Sequence, residues 1–487
     1  MSVHSIKRTH RVLYLDTAMP WIAAAAIGLL LVALAPRLLA DPDTYSHIAL
    51  GRWMVAHLSV PSIDPLSQTM RGTPWIAFEW LSQVFLAQIY ALCGWAGVVA
   101  LTALAASLTF GLLAQALARE WQPRGVIGGV LVAVMLVSPH LLARPHVLAM
   151  PILVAWIASL VRSNDEKRQP SLWLLPLMTL WANLHASYSF GLAMLVPLAF
   201  EAVYGAQPDE RGRVLQRWCV FALLALVAAG INPYGPAMTL ATFRTIALGH
   251  ALNMITEWRP QDFTHPGPYE LILLAAFAGA LYCGAKLPPV RLVILLGLVH
   301  LSLSQVRHAD LLGLLGPLLV ARPLAMQFRE LAARPAHDLK IGFSPTPAIA
   351  AIVIIAAAAL RPDVAPARAI TPGAAMRAIG SEAGPILNDY AFGGYLDFIG
   401  AAPFIDGRGE LYGEQYLLRY QQALDLQNIA EFERLLDQYH IRTTLLTPST
   451  PAVSLLDRLP GWRRIYADNI AVVHQREPTA NPGLPRR

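Results

Sequence analysis

Charge is what this chain has least of. Only 14% of its 487 residues are Asp, Glu, Lys or Arg, where a soluble globular protein carries roughly a quarter. Lysine is the scarcest of these, at Lys7, Lys167, Lys286 and Lys340. Cysteine is scarce too. Cys93, Cys219 and Cys283 lie in or beside apolar segments, without CxxC or Cys/His spacing, so neither a disulfide framework nor a cysteine metal centre is expected. Fixed-period repeats and low-complexity tracts are lacking. An arginine-rich stripe is lacking as well, and the net charge of +6 is dispersed between apolar runs, which excludes a nucleic-acid-binding reading.

What is plentiful is apolar sequence: 55% hydrophobic residues and a mean hydropathy of +0.47. A bilayer core takes about 20 apolar residues of helix, fewer where short helices are buried in a bundle. On that template the sequence predicts eleven spans, near 17–36, 95–118, 125–142, 146–161, 171–185, 188–205, 217–231, 269–285, 290–304, 309–321 and 345–360. The segment 79–93, EWLSQVFLAQIYALC, reads as a juxtamembrane or re-entrant helix, because a full crossing there would place every later basic loop outside. The first span has the make-up of a signal peptide, but its length and the spans behind it favour a retained anchor.

The distribution of Lys and Arg sets the orientation. Lys7, Arg8 and Arg11 hold the N-terminus in the cytoplasm, and the loops Arg119–Arg124, Arg162–Arg168, Arg211–Arg217, Lys286–Arg291 and Arg322–Lys340 follow on the same side. All four lysines fall there. The opposite loops hold Arg37, Arg52, Arg71, Arg144, Arg244, Arg259 and Arg307. Residues 1–360 thus read as a membrane module with a long first outer loop, about 38–94. Beyond 361 charge rises and apolar runs shorten. Strand-like segments (PILND, GYLDFIG, PFIDGR, RTTLLT, RRIYAD, IAVVHQ) alternate with helical ones at 416–426, 428–440 and 452–459, which predicts a small extracytoplasmic α/β domain over 361–487 with a frayed Pro- and Arg-rich end.

On this topology the unusual polar groups gather on the outer face: Asp41-Pro42-Asp43-Thr44-Tyr45-Ser46-His47, then Asp64-Pro65, Glu79-Trp80, Arg144-Pro145-His146, Asn183-Leu184-His185, Asn232-Pro233-Tyr234, Thr256-Glu257-Trp258-Arg259 and Arg307-His308-Ala309-Asp310. Each alone suits an interfacial residue at headgroup level. Together they suggest an outer cavity for a charged ligand, since ionisable groups at membrane depth usually face a cavity or a partner.

Asp41 and Asp43 are the sharpest candidates. Two carboxylates two residues apart can take a divalent cation such as Mg2+ or Mn2+ through oxygen ligands. Alternatively one serves as general base on an acceptor hydroxyl or amine, and capping of the helix that begins near Thr44 is the structural alternative to both. His47 lies one turn beyond Asp43, as a ligand or a surface residue. Arg307 with His308, and Arg144 with His146, suit stabilisation of a phosphate leaving group, because a guanidinium grips phosphate through two hydrogen bonds. Glu257 reads as a binding group or as an ion-pair partner of Arg259. In the tail, Gly393-Gly394-Tyr395 and Asp406-Gly407-Arg408-Gly409 read as a groove lining or as ordinary turns, with Asp406 and Arg408 able to pair.

These residues resemble a family. A DxD-type motif after the first span, amphipathic segments in a long first outer loop, many spans and an outer soluble tail are similar to the GT-C superfamily of membrane glycosyltransferases, which includes protein O-mannosyltransferases, aminoarabinose transferases and oligosaccharyltransferases. DPDTYSHIALGRWM, IDPLSQT, PWIAFEWLSQ, RPH, NLHAS, NPYG, GGYLDF, FIDGR and ELYG resemble a bacterial GT-C-like group over most of the chain. The resemblance implies a polyprenyl-phosphate-type sugar donor entering from the membrane, and an acidic residue, Asp41 or Asp43, that engages the acceptor and in some members a metal. It places transfer in the outer-facing cavity of the cytoplasmic (inner) membrane, the cavity to which the polar clusters above assign Glu79, His185 and Glu257 as binding residues. A second acidic motif has no clear counterpart unless Glu79 or Glu257 serves, and the tail lacks the signature motif of oligosaccharyltransferases, which disfavours transfer of a glycan to Asn. A transporter or flippase for a lipid-linked or polar substrate, and a silent envelope-assembly scaffold, are the alternatives. Against the first, charges gather at outer helix ends and no inverted repeat is visible.

Overall fold

In a computed structural model of the chain, residues 3–246, 256–333, 345–380 and 384–477 are described. Residues 334–340 of the basic Arg322–Lys340 loop, with Lys340 itself, and the Pro- and Arg-rich end beyond 477 lie outside them. The backbone divides into two units. One comprises Met1–Leu38, Leu92–Thr242 and Asn253–Val364, the other Leu39–Ala91, Phe243–Leu252 and Ala365–Arg487.

The first unit is built from the apolar runs. With no water to satisfy backbone groups inside a bilayer, a run of that composition closes its hydrogen bonds within a helix. Among the described residues, five helices are long and apolar enough to cross a membrane: Trp80–Leu117, Pro123–His140, Pro145–Asp165, Arg211–Ala229 and Val306–Gln327. Shorter apolar helices cover Ala18–Ala33, Leu172–Leu184, Tyr188–Tyr204, Pro268–Tyr282, Pro289–Ser304 and Thr346–Ala359. The long Trp80–Leu117 helix is broken at Gly94, whose φ of 59° and ψ of −152° suit glycine alone. The 80–93 stretch is therefore an arm separate from the helix that follows.

Small residues let these helices approach. A Cβ on Gly28 would meet Ile354 at 2.4 Å, and one on Gly191 would meet the Trp181 ring at 2.3 Å. Ser107 donates across to the Ala24 carbonyl at 2.8 Å, and Trp121 donates its indole N–H to the Ala321 carbonyl at 2.8 Å. Outward faces are apolar: Leu223, Val293 and Ile352 are exposed, and the Pro268–Tyr282 helix has no buried residue. Such a surface suits lipid rather than water.

The second unit contains a four-stranded sheet: β1 (Ile386–Asn388), β2 (Thr443–Leu446), β3 (Trp462–Ala467) and β4 (Val472–Arg476), in the order β1-β2-β4-β3. β1 and β2 run parallel, with Leu387 opposite Thr444. β4 is antiparallel to both neighbours, and its ladder to β3 slips between Arg464 and Tyr466. Ile386, Phe392, Leu396, Leu445 and Val473 form its core. Two expected strands are absent. GYLDFIG is the helix Gly393–Ile399, because its apolar residues Tyr395, Leu396, Phe398 and Ile399 recur at helical rather than alternating spacing. PFIDGR is an irregular segment whose buried polar groups bind each other.

Residues 39–91 pack on this sheet unit as part of it. The helix Asp43–His57 crosses the Gly393–Ile399 helix so closely that a Cβ on Gly394 would lie 2.1 Å from the Pro42 carbonyl oxygen. Tyr45 stacks edge-on against Tyr395 at 5.4 Å. The 58–79 loop is tied down by Gln68 donating its N–H to the Pro403 carbonyl and by Thr69 donating to the Phe404 carbonyl.

Candidate functional site

The sheet unit holds Asp41, Asp43, His47 and Glu79. Asp41 is buried, and its Oδ1 accepts the Asp43 backbone N–H at 2.7 Å, which secures the start of the Asp43–His57 helix. Asp43 lies in the first turn, where the helix dipole favours a carboxylate. Its Oδ1 presses on Gly407: a Cβ there would sit 1.9 Å away. One helical turn later, His47 Nδ1 stands 3.7 Å from Glu79 Oε2 and 3.3 Å from Gln83 Nε2. Two histidine and carboxylate candidates from separate segments are thus neighbours.

Beside them lies a buried charge network. Arg408 donates from Nη1 to Asp64 Oδ1 at 2.6 Å, and from Nε and Nη2 to the two oxygens of Asp406 at 2.9 and 2.6 Å. Tyr412 donates its hydroxyl to Asp406 at 2.9 Å, and the Arg408 guanidinium lies 4.9 Å from the centre of the Trp75 ring. Burial alone would raise the Asp64 carboxyl, but Arg408 and the Ser67 hydroxyl outweigh it and hold the group below the usual carboxylate range. Asp397 is the converse. Burial first, and then the nearby Asp406 charge, push it well above that range. Its Oδ2 accepts from Ser46 at 2.7 Å, while Oδ1 is buried without a hydrogen-bond partner among the described residues. Glu410 is raised by burial as well, and accepts from the Trp75 indole at 3.1 Å.

The helical unit holds the remaining candidates. Arg144, just before the Pro145–Asp165 helix, donates to Glu257 at 2.6 Å. His146 hydrogen-bonds the His140 carbonyl at 2.9 Å, and its ring lies 6.1 Å from that of His185, which ends the Leu175–Leu184 helix. His140 pairs with Asp310 at 2.9 Å. Arg307 stacks over Trp258 at 4.4 Å. Backbone bonds from Val306 to Arg259 and from Gln261 to Leu303 stitch the 256–261 loop to the 303–308 turn. His308 Nδ1 is buried without a hydrogen-bond partner among the described residues. Arg144, His146, His185, Glu257, Arg307 and His308 are therefore arranged around one set of helix ends and turns.

Sequence reasoning placed Asp64 and Asp310 in the outer polar set without a role of their own, and did not name Asp397 or His140. Asp64-Pro65 followed by Ser67 is a turn signal, since the Leu66 and Ser67 N–H groups donate to Asp64. Asp397 is set by burial, by Asp406 and Arg408 just beyond it in the chain, and by Ser46, 351 residues away. A metal finds little ready-made purchase: the described residues assemble no group of three or more His, Cys, Asp or Glu able to hold an ion, and the Asp41 oxygen nearest Asp43 is engaged with backbone.

The fold resembles those of solved membrane proteins. It is similar to archaeal oligosaccharyltransferase AglB from Archaeoglobus fulgidus, solved with an inhibitory peptide and a dolichol-phosphate, at TM-score 0.53 and 12% identity over 88% of this chain and 69% of that one. The Archaeoglobus fulgidus oligosaccharyltransferase tethered to an acceptor peptide gives 0.55 at 12% identity and the same coverage. ArnT from Cupriavidus metallidurans in the apo state gives 0.50 at 14% identity, over 93% of this chain and 97% of that one. No family model and no curated protein sequence matches the chain.

Proposed function

We propose that the protein transfers a sugar from a polyprenyl-phosphate-type donor to an acceptor at the outer face of the cytoplasmic membrane. The chain then crosses the membrane eleven times, with its N-terminus in the cytoplasm and the 361–487 domain outside. The observation that carries the reading is the Asp41–Asp43 pair, held at the start of a helix a few residues beyond a membrane helix, in an architecture shared with an oligosaccharyltransferase that binds dolichol-phosphate. One of the two carboxylates takes the proton of the acceptor as it attacks the anomeric carbon, and the lipid phosphate leaves. His47 and Glu79, neighbours of each other in that unit, bind the acceptor. In the helical unit, Arg144 and Arg307 are the candidate phosphate-binding groups, with Glu257 as the counter-ion of Arg144. His146, His185 and His308 complete the phosphate-binding wall.

The test uses wild type, Asp41→Asn and Asp43→Asn in lipid nanodiscs. Each is offered a panel of polyprenyl-phosphate sugars and extracted envelope acceptors, with and without chelator, and release of the lipid phosphate is followed. The expected result is acceptor-dependent release by wild type, lowered at least ~100-fold in one folded variant. Equal release by all three proteins would remove the carboxylates from the chemistry. Silence across the whole panel would favour a transporter or scaffold instead. Loss of turnover on chelation, restored by Mg2+ or Mn2+, would add a cation to the site.

A further inference from the structure

The helical unit has a second polar region, unconnected with the groups assigned to sugar transfer. A cavity of about 540 Å³ opens among the ends of the Pro145–Asp165, Leu195–Tyr204, Arg211–Ala229, Pro289–Ser304 and Ala309–Gln327 helices. Its lining carries six cationic side chains against three carboxylates. Two of those carboxylates are already spent. Arg291, almost fully buried, donates from Nη2 to Asp165 at 2.5 Å and from Nε to Glu201 at 2.7 Å, forming a closed floor. Arg168 pairs with Glu166. Lys167, Arg217, Lys286 and Arg322 remain, and none of them makes an ion pair within 4.0 Å among the described residues, with Glu210 the one lining carboxylate outside the floor. Four cations facing one cavity repel each other, so an anion between them relieves a cost the protein otherwise carries.

Part of the wall is apolar, with Val214, Trp218, Pro288 and Met326, and the uncharged polar Asn164, Gln169, Gln207 and Gln327 lie beside them. Trp218 is buried and Met326 is exposed. A soluble phosphate would leave that wall wet. A phospholipid fills both halves, its phosphodiester among the cations and an acyl chain along the apolar side. The cations come from helix ends and loops that the Lys/Arg bias assigns to the cytoplasmic face, where anionic lipids are presented.

We propose that this cavity is a binding site for an anionic phospholipid, distinct from the lipid-linked donor. The site holds a structural or regulatory lipid against the helix ends that the Arg291 floor ties together.

Native mass spectrometry of the purified full chain tests it, with phosphatidylglycerol and phosphatidylcholine offered at equal concentration. Wild type is expected to retain phosphatidylglycerol in preference to phosphatidylcholine. The triple variant Arg217→Gln, Lys286→Gln, Arg322→Gln should lose that preference about tenfold, with phosphatidylcholine retention unchanged. Glu210→Gln, which removes a like charge, should strengthen it. Lys286→Gln alone, in an exposed loop, carries the test if the triple variant does not fold, and should weaken retention in the same direction. Equal retention of the two lipids by wild type, or unchanged phosphatidylglycerol retention in the variants, would overturn the proposal. So would displacement of phosphatidylglycerol by millimolar inorganic phosphate, which would make the cavity a site for a soluble anion. None of these readings depends on sugar transfer.

Discussion

A carboxyl sealed away from water with one hydroxyl for company holds its proton, and Asp397 is such a group. Because its folded pKa lies above its unfolded one, the folded state binds an extra proton between those two values. Asp397 therefore withdraws stability as pH rises from about 4 through its raised folded pKa. Asp64, held low by Arg408, works oppositely: its stabilisation is present above the unfolded carboxylate value and is lost as pH falls through the folded one. Asp397→Asn keeps the shape of the protonated carboxyl without the titration. The variant's melting temperature should accordingly gain on wild type as pH rises from about 4 toward the raised folded value, and a gap that does not change with pH would show that Asp397 titrates normally. Gly407 offers a second test at this scale. A methyl group at 407 collides with the end of the Asp43 side chain rather than with backbone, so the carboxylate rotates away and the fold survives. Gly407→Ala should leave melting within a degree or two and lower turnover about 100-fold, since a misplaced catalytic group costs of that order. Normal turnover in the folded variant would argue against Asp43 as the proton acceptor.

Among the elements, the joint of the 39–91 segment to the tail helices and sheet depends on close approach and on buried charge. Gly394 lets the Pro42 carbonyl in, Tyr45 closes on Tyr395, and Arg408 gathers Asp64 from one segment and Asp406 from the other. Removing one member of a buried ion network leaves the others desolvated and unpaired, at a cost of about 3–5 kcal/mol. Arg408→Leu should destabilise the sheet unit by that amount in denaturant titrations followed by tryptophan fluorescence, for which Trp75 beside Arg408 is a reporter. A loss under ~1 kcal/mol would show the network to be solvated in the protein as it exists. The Asp43–His57 helix has its own close neighbour: a Cβ on Gly51 would come within 2.0 Å of the Gln83 carbonyl oxygen, which fixes where the arm before Gly94 can run.

For the whole molecule the question is which side each loop faces. With the basic loops Arg162–Arg168, Arg211–Arg217 and Lys286–Arg291 inside, a reporter fused after residue 487 should behave as an outer one. Alkaline phosphatase there should be active and green fluorescent protein dark, with the pattern reversed for fusions in the 206–211 loop. A bright fluorescent protein at the C-terminus would add or remove one crossing, and the 80–93 arm is the segment to re-examine first.

Hydropathy was enough to place the apolar helices, because each closes its backbone bonds locally and needs no partner to be recognised. The strands at 386–388, 443–446, 462–467 and 472–476 were legible for a similar reason, as short β-branched or aromatic runs between turns. GYLDFIG misled because two turns of helix and a short strand have similar compositions. The Asp41–Asp43 pair and the Asp406–Arg408 pair are readable since they are two residues apart. The pairing of Arg408 with Asp64 spans 344 residues and that of Arg144 with Glu257 spans 113. Glu257 looked toward Arg259 in the sequence, yet it meets Arg144. Composition and periodicity determine which segments leave water and which loops stay basic, because those are properties of transfer from water that each segment carries by itself. Which carboxylate meets which guanidinium, and which glycine must yield to which carbonyl, was decided by the tertiary structure alone, since burial and pairing exist only once distant segments have packed.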